Sequence, residues 1–121
     1  MPKYLLIQHY EACETPMGTW EPADIRAHID YQHALNDELA AAGELLEAQG
    51  VAHDARLVVS DGAARSVGTP AEGRRLAGYR VVDVENEDRA LEIAARTSAA
   101  PGARGVPVQQ PIEVRQIMVA P

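Results

Sequence analysis

The sequence holds four imidazoles, at His9, His28, His33 and His53, and one thiol, at Cys13. An imidazole titrates near neutrality and can serve as general base or acid, so the histidines come first in any search for proton chemistry. His28 shares a helical stripe with Ile25, Ile29, Gln32, Leu35 and Leu39 at 100° per residue, whereas His33 lies at its edge. The stripe therefore presses His28 and Gln32 into whatever covers the helix. A buried histidine satisfied by a backbone carbonyl is the plainer expectation for the same pattern. Asp83 alternates with Val82 and Val84, and is placed to orient His28 if its strand face turns toward that helix. Otherwise it is a solvated or interface acid. His9 falls on one strand face with Leu5 and Ile7. Tyr10, Trp20 and Tyr79 supply flat surfaces for a planar ligand, although such side chains are more often core or interface filler.

Other chemistries find less support. His28 and His33 are five residues apart and do not share a helix face, and no spacing of His9, His28, His33 and Cys13 matches a known metal set. Cys13 has no defined partner that would make it a nucleophile. There is no glycine-rich phosphate loop and no serine nucleophile motif, and the chemistry expected of His28 is proton transfer without a cofactor. His53 is expected in an exposed loop. Arg74, Arg75 and Arg80 cluster, and a short run of arginines reads as solvated surface.

The elements that must position these groups follow from pattern. Tyr4 to His9 predicts a buried strand. Pro22 fits a first helical turn, with Asp24 favourable to the dipole. The helix is predicted over Pro22 to Ala42 and ended by Gly43. Arg26, Asp30 and Asp37 point away from its apolar stripe. Leu45 to Gln49 reads as a short extended piece, and Ala55 to Ser60 as the second strand, closed by Asp61-Gly62. Ala63 to Arg75 reads as loop or irregular hairpin, and Gly78 to Val84 as the third strand. Asn86 caps a second helix whose inner face is Ala90, Ile93, Ala94 and Thr97. A long loop from Ser98 to Gln110 leads to a fourth strand over Ile112 to Val119. Long loops in compact domains are often functional.

The order strand, helix, strand, strand, helix, strand predicts a single α+β domain, a ferredoxin-like βαββαβ sandwich with two helices on one face of an antiparallel sheet. Val81-Val82 and Leu57-Val58-Val59 look apolar on both sides, so the free sheet face calls for a cover, most simply a second copy. The chain has 121 residues, 46% of them apolar, with no Phe and one Trp, so its core must be aliphatic. A formal net charge of −7 argues against nucleic acid, which needs a surplus of Lys and Arg. The lone cysteine suits a reducing compartment. No apolar run reaches membrane-spanning length and the N-terminus lacks a signal-peptide pattern, so a cytoplasmic protein with no membrane partner is expected.

The residues also resemble a known family. Leu76-Ala77-Gly78-Tyr79-Arg80-Val81-Val82-Asp83-Val84, the helix Arg89 to Arg96, the loop Ser98 to Gly102 and the strand Pro111 to Met118 are similar to the C-terminal half of YCII-related (DGPF-domain) proteins. Ala34 to Leu39, Gly43 to Leu45 and Ala48 to Gly50 resemble the end of their first helix and the segment after it. The resemblance implies a dimeric α/β barrel, in which two sheets pack face to face. Some relatives act on small cyclic molecules, as in dehydrochlorination of a hydroxyquinone, with a His–Asp pair, which implies here a cofactor-free lyase or isomerase with a histidine as acid and base. Arg26-Ala27-His28 matches the setting of the family histidine, with His33 as the rival alignment. The name-giving Asp-Gly-Pro-Phe is replaced by Ser66 to Glu72, and Thr97 to Ala100 stands where active relatives carry an acid. These departures favour the alternative of a non-catalytic ligand-binding or accessory dimer, associated with sigma factors in some relatives.

Overall fold

A computed structural model describes residues 1–10, 17–71 and 75–120. Cys13, Glu72 and Arg74 lie outside the described residues. The elements are β1 (Lys3–His9), α1 (Pro22–Ala41), β2 (Leu45–Gly50), β3 (Leu57–Ser60), β4 (Arg65–Gly68), β5 (Leu76–Asp83), α2 (Glu87–Ser98) and β6 (Glu113–Gln116). β2, β5, β1 and β6 form one antiparallel sheet in that order, and β3 with β4 forms a separate hairpin. The architecture is α+β, with two helices and a four-stranded antiparallel sheet, and it is consistent with a ferredoxin-like arrangement.

Local chemistry sets the helix ends. Pro22 opens α1, where its missing N–H costs nothing. Gly43, at φ 73°, ends it in the left-handed region. The Gly43 N–H donates to the Ala40 carbonyl and the Glu44 N–H to the Leu39 carbonyl, the paired bonds of a Schellman motif. That tight stop leads almost at once into β2. Asn86 caps α2 by accepting the Arg89 N–H through its side chain. The α2 face of Ala90, Ile93, Ala94 and Thr97 is buried as its periodicity predicts.

The core lies between helices and sheet. Tyr4 and Leu6 of β1, Val82 of β5, Leu35 and Leu39 of α1, and Ala90 and Ile93 of α2 form one cluster with Val84. Side chains alternate along a strand, so Leu5, Ile7, Tyr79, Val81 and Asp83 fall on the face away from the helices. Among the described residues no helix is long and apolar enough to cross a membrane.

Four expectations change. The strand that joins the sheet after α1 is Leu45–Gly50, paired with β5, and not Ala55 to Ser60. The β-branched run Leu57-Val58-Val59 belongs instead to the hairpin, with exposures of 54%, 57% and 69%. Composition favoured that run, but the Schellman turn delivers the chain to the β5 edge before it is reached. Ile29 is 43% exposed, because α1 rests on the sheet over a narrower stripe than the wheel suggests. Arg80 is buried at 5% exposure and not part of a solvated cluster. β6 is shorter than predicted, and Met118 and Val119 stand in solvent.

Arg89 of α2 donates through two nitrogens to both carboxylate oxygens of Glu44, at 2.9 and 2.8 Å. That bidentate bond holds the Glu44 carboxyl below its ordinary range, with burial opposing it and the Arg89 charge adding to it. A carboxyl with a lowered folded-state pKa stabilises the fold above its unfolded pKa, and the contribution fades as pH falls through the folded value. Glu44→Gln is therefore expected to lose stability at pH 7 but to show a flatter loss on acidification, read as urea midpoints across pH 7 to 3. Leu39→Ala removes a fully buried side chain from the centre of the core. It is expected to cost about 2–5 kcal/mol in urea unfolding.

Candidate functional site

One end of the layer between α1 and the sheet stays open. The reason is backbone: Gly50 of β2 and Gly78 of β5 face each other in register, so neither strand puts a side chain there. A Cβ on Gly78 would sit 2.9 Å from the Gln49 carbonyl oxygen and 3.3 Å from Gln8 Oε1. Two adjoining cavities result. The first, about 340 Å³, is lined by Gln8, Gln32, His33, Asn36, Gln49 and Arg80 among others. The second, about 500 Å³, is lined by Tyr10, Met17, Trp20, Val51, Val108 and Gln110 among others. Gln8, His28, Gly50 and Ala77 border both.

His28 thus stands where a polar cavity meets an apolar one. It is 9% exposed, and its Nδ1 lies 3.0 Å from the carbonyl oxygen of Pro101. A carbonyl only accepts, so Nδ1 donates to it, and in the neutral ring the lone pair is then on Nε2. Nε2 has no hydrogen-bond partner among the described residues. The Trp20 indole, 7% exposed, meets the imidazole edge to face at 5.5 Å between centroids and 69°. The long loop after α2 supplies Pro101. Its fold-back is held by the Val108 N–H on the Ala100 carbonyl, the Gln109 N–H on the Ser98 carbonyl, and the Arg104 N–H on Asp24 of α1. Gly102 permits this closeness: a Cβ there would lie 2.9 Å from Val108 Cγ2, 3.2 Å from the Val106 oxygen and 3.3 Å from Trp20 Cζ2.

Arg80 enters the polar cavity from β5. Its Nε donates to Asn36 Oδ1 at 2.7 Å, Nη1 to Thr97 Oγ1 at 2.8 Å, and Nη2 to both the carbonyl and Oε1 of Gln32. The Thr97 hydroxyl donates to the Ile93 carbonyl, which turns its lone pair toward the guanidinium. Burial pulls the Arg80 pKa down to about 10, so it remains charged at neutral pH.

The other residues chosen from sequence scatter. Gln32, Trp20 and Tyr10 line the cavities, and Tyr10 donates a short hydrogen bond to the Val51 carbonyl and touches His53 edge to face. Tyr79 borders the polar cavity, and its pKa is raised, first by burial and then by the influence of Glu47. Asp83 does not orient His28. It lies on the sheet face away from α1 and sits 3.8 Å from the N-terminal amine. The alternation that buries Val82 against the helices turns Asp83 outward. His9, by the same alternation, faces away from the cleft and lies 3.8 Å from Glu113. His33 is exposed at the rim. Among the described residues no group of three His, Cys, Asp or Glu side chains converges as a metal site would require.

Arg80, Asn36, Thr97 and Pro101 are the residues that sequence reasoning passed over. Arg80 had a signal: it shares strand phase with Gly78 and Val82, the buried face. Pro101 had none, because only the loop fold brings its carbonyl to His28. A scan against models of protein families finds no match to this chain, and a search of curated proteins finds no relative. Gly102→Ala is expected to push the loop from Trp20, destabilise the protein by about 1–3 kcal/mol and shift the emission of its single tryptophan.

Proposed function

We propose that this chain is a YCII-related protein that binds a small, flat cyclic molecule in the cleft at the open end of α1, and that His28 moves a proton on it in a lyase or isomerase reaction. One observation carries the reading. The Pro101 carbonyl fixes the His28 tautomer, which leaves Nε2 as a base at the junction of a polar and an apolar cavity. Tyr10 and Trp20 provide walls for a planar body, and Gln8, Gln32 and Asn36 provide hydrogen-bonding groups. In such a site the base abstracts a proton from carbon or oxygen, holds it as imidazolium, and returns it to the product or leaving group.

A second reading is a ligand-binding module without turnover. It is favoured by the position of Asp83, which leaves His28 supported by a carbonyl and not by a carboxylate. A carboxylate would raise the basicity of the imidazole further. The two readings separate in deuterium oxide. The protein is incubated with a panel of small cyclic enols and hydroxyquinones, and C–H exchange is monitored by NMR. The enzyme reading expects exchange that falls by about 10²–10⁴ in His28→Ala, with unchanged circular dichroism. Ligand binding without exchange supports the module.

The same proposal includes a homodimer in which two sheets cover one another. The face away from the helices supports it, with Leu5, Tyr79 and Val81 half-buried and Leu46 52% exposed. A chain of 13.1 kDa also has a small core of its own. Sedimentation is expected to give about twice that mass, and Val81→Glu, a charge in the middle of the shared face, is expected to return the monomer. A wild-type monomer at micromolar concentration removes the dimer from the proposal.

A further inference from the structure

The chain carries 18 acidic side chains and a net charge of −7, yet among the described residues none of those acids lines the polar cavity beside His28. What lines it is neutral or cationic. At its inner wall stands Arg80, whose side chain is bonded, among the described residues, only to uncharged oxygens. On the neighbouring elements Glu38 pairs with Arg96 and Glu44 with Arg89. A buried charge is normally matched by an opposite one, and leaving it unmatched is costly.

The hydrogen-bond inventory is incomplete in the same place. A guanidinium has five N–H donors, and four bonds are made within the described residues. Gln32 spends its carbonyl oxygen on Arg80, and its Nε2 is buried with no acceptor among the described residues. Arg80 Nη1, with two N–H groups and one bond among the described residues, therefore keeps a donor to spare beside the cavity. An anionic oxygen in this cavity would accept from the guanidinium and balance its charge.

We propose that Arg80, framed by Gln32, Asn36 and Thr97, is the subsite for an anionic oxygen of the ligand, a carboxylate or a phenolate, and that the body of the ligand extends past His28 toward Trp20. This rests on the reading of the cleft as a small-molecule site and names its substrate class: cyclic or aromatic acids. The layout fits that shape, because the cavity on the other side of His28 is apolar and walled by Tyr10, Val51 and Val108. Arg80 also assists the chemistry: its guanidinium, on the wall of the cavity that His28 borders, stabilises negative charge that develops on the ligand as His28 takes a proton.

The test uses the whole protein and two probes of one shape, benzoate and its neutral counterpart benzamide, with binding read by saturation-transfer NMR and by the emission of Trp20, the only tryptophan. Benzoate is expected to bind at least about tenfold more tightly than benzamide at low salt. Arg80→Gln is expected to abolish that preference. Arg80 also ties three elements together, so a variant that keeps it is needed. Gln32→Glu supplies the guanidinium with an internal carboxylate, and is expected to lose benzoate binding while melting no lower than wild type. Equal affinity for the two probes, no benzoate binding at tens of millimolar, or undiminished benzoate binding in folded Gln32→Glu would each overturn the subsite. His28→Gln separates this from the acid–base reading: benzoate preference kept with exchange lost supports both, and exchange kept with preference kept overturns only the role of His28.

Discussion

Arg80 is the point at which the two helices and the sheet are joined by polar contact. It leaves β5 on the face that holds the aliphatic core, passes between α1 and α2, and bonds Gln32 and Asn36 on one and Thr97 on the other. Apolar packing alone would let two helices slide on an aliphatic sheet, since Leu, Val and Ala surfaces fit one another in many registers. A guanidinium with fixed fork geometry does not allow this. It sets α1 against α2 and α1 against β5 at once. Tyr31 adds a second tie, its hydroxyl bonded to the Arg96 carbonyl. The cost is a desolvated charge, visible in the lowered pKa of Arg80.

Fixing α1 in that register also fixes His28. One helical turn before Gln32, it is carried to the end of the sheet where Gly50 and Gly78 leave space. The loop after α2 then reaches back and gives its Pro101 carbonyl to Nδ1. Packing, cavity and tautomer are consequences of one arrangement. The polar and apolar halves of the cleft arise because α1 contributes amides to one side while the segment around Trp20 and the loop contribute aromatic and aliphatic groups to the other.

The hairpin of β3 and β4 stands apart from this arrangement. Leu57, Val58, Val59 and Val67 are all more than half exposed, and hydrogen bonds of the Asp61 side chain to Ala63 and Ala64 shape its turn. Its sequence looked like a central strand because β-branched residues favour any pleated conformation, buried or not. Sheet membership depends on which segment the chain presents to the β5 edge first, and the Schellman stop at Gly43 presents Leu45–Gly50.

The sequence alone determined what depends on near neighbours: the extent of α1 and its glycine stop, the Asn86 cap, the inner face of α2, the strand character of β1 and β5, and the inward turn of His28 and Gln32. Each follows from backbone preference or from a 3.6- or 2-residue period, which act within a few residues. Tertiary structure decided what depends on pairs far apart in the chain. It chose Leu45–Gly50 as the edge strand, turned Asp83 and His9 away from the cleft, buried Arg80, and brought Pro101 to an imidazole 73 residues away. Those outcomes rest on which face of the sheet the helices cover and on where a long loop lands, and neither is encoded in the residues beside them.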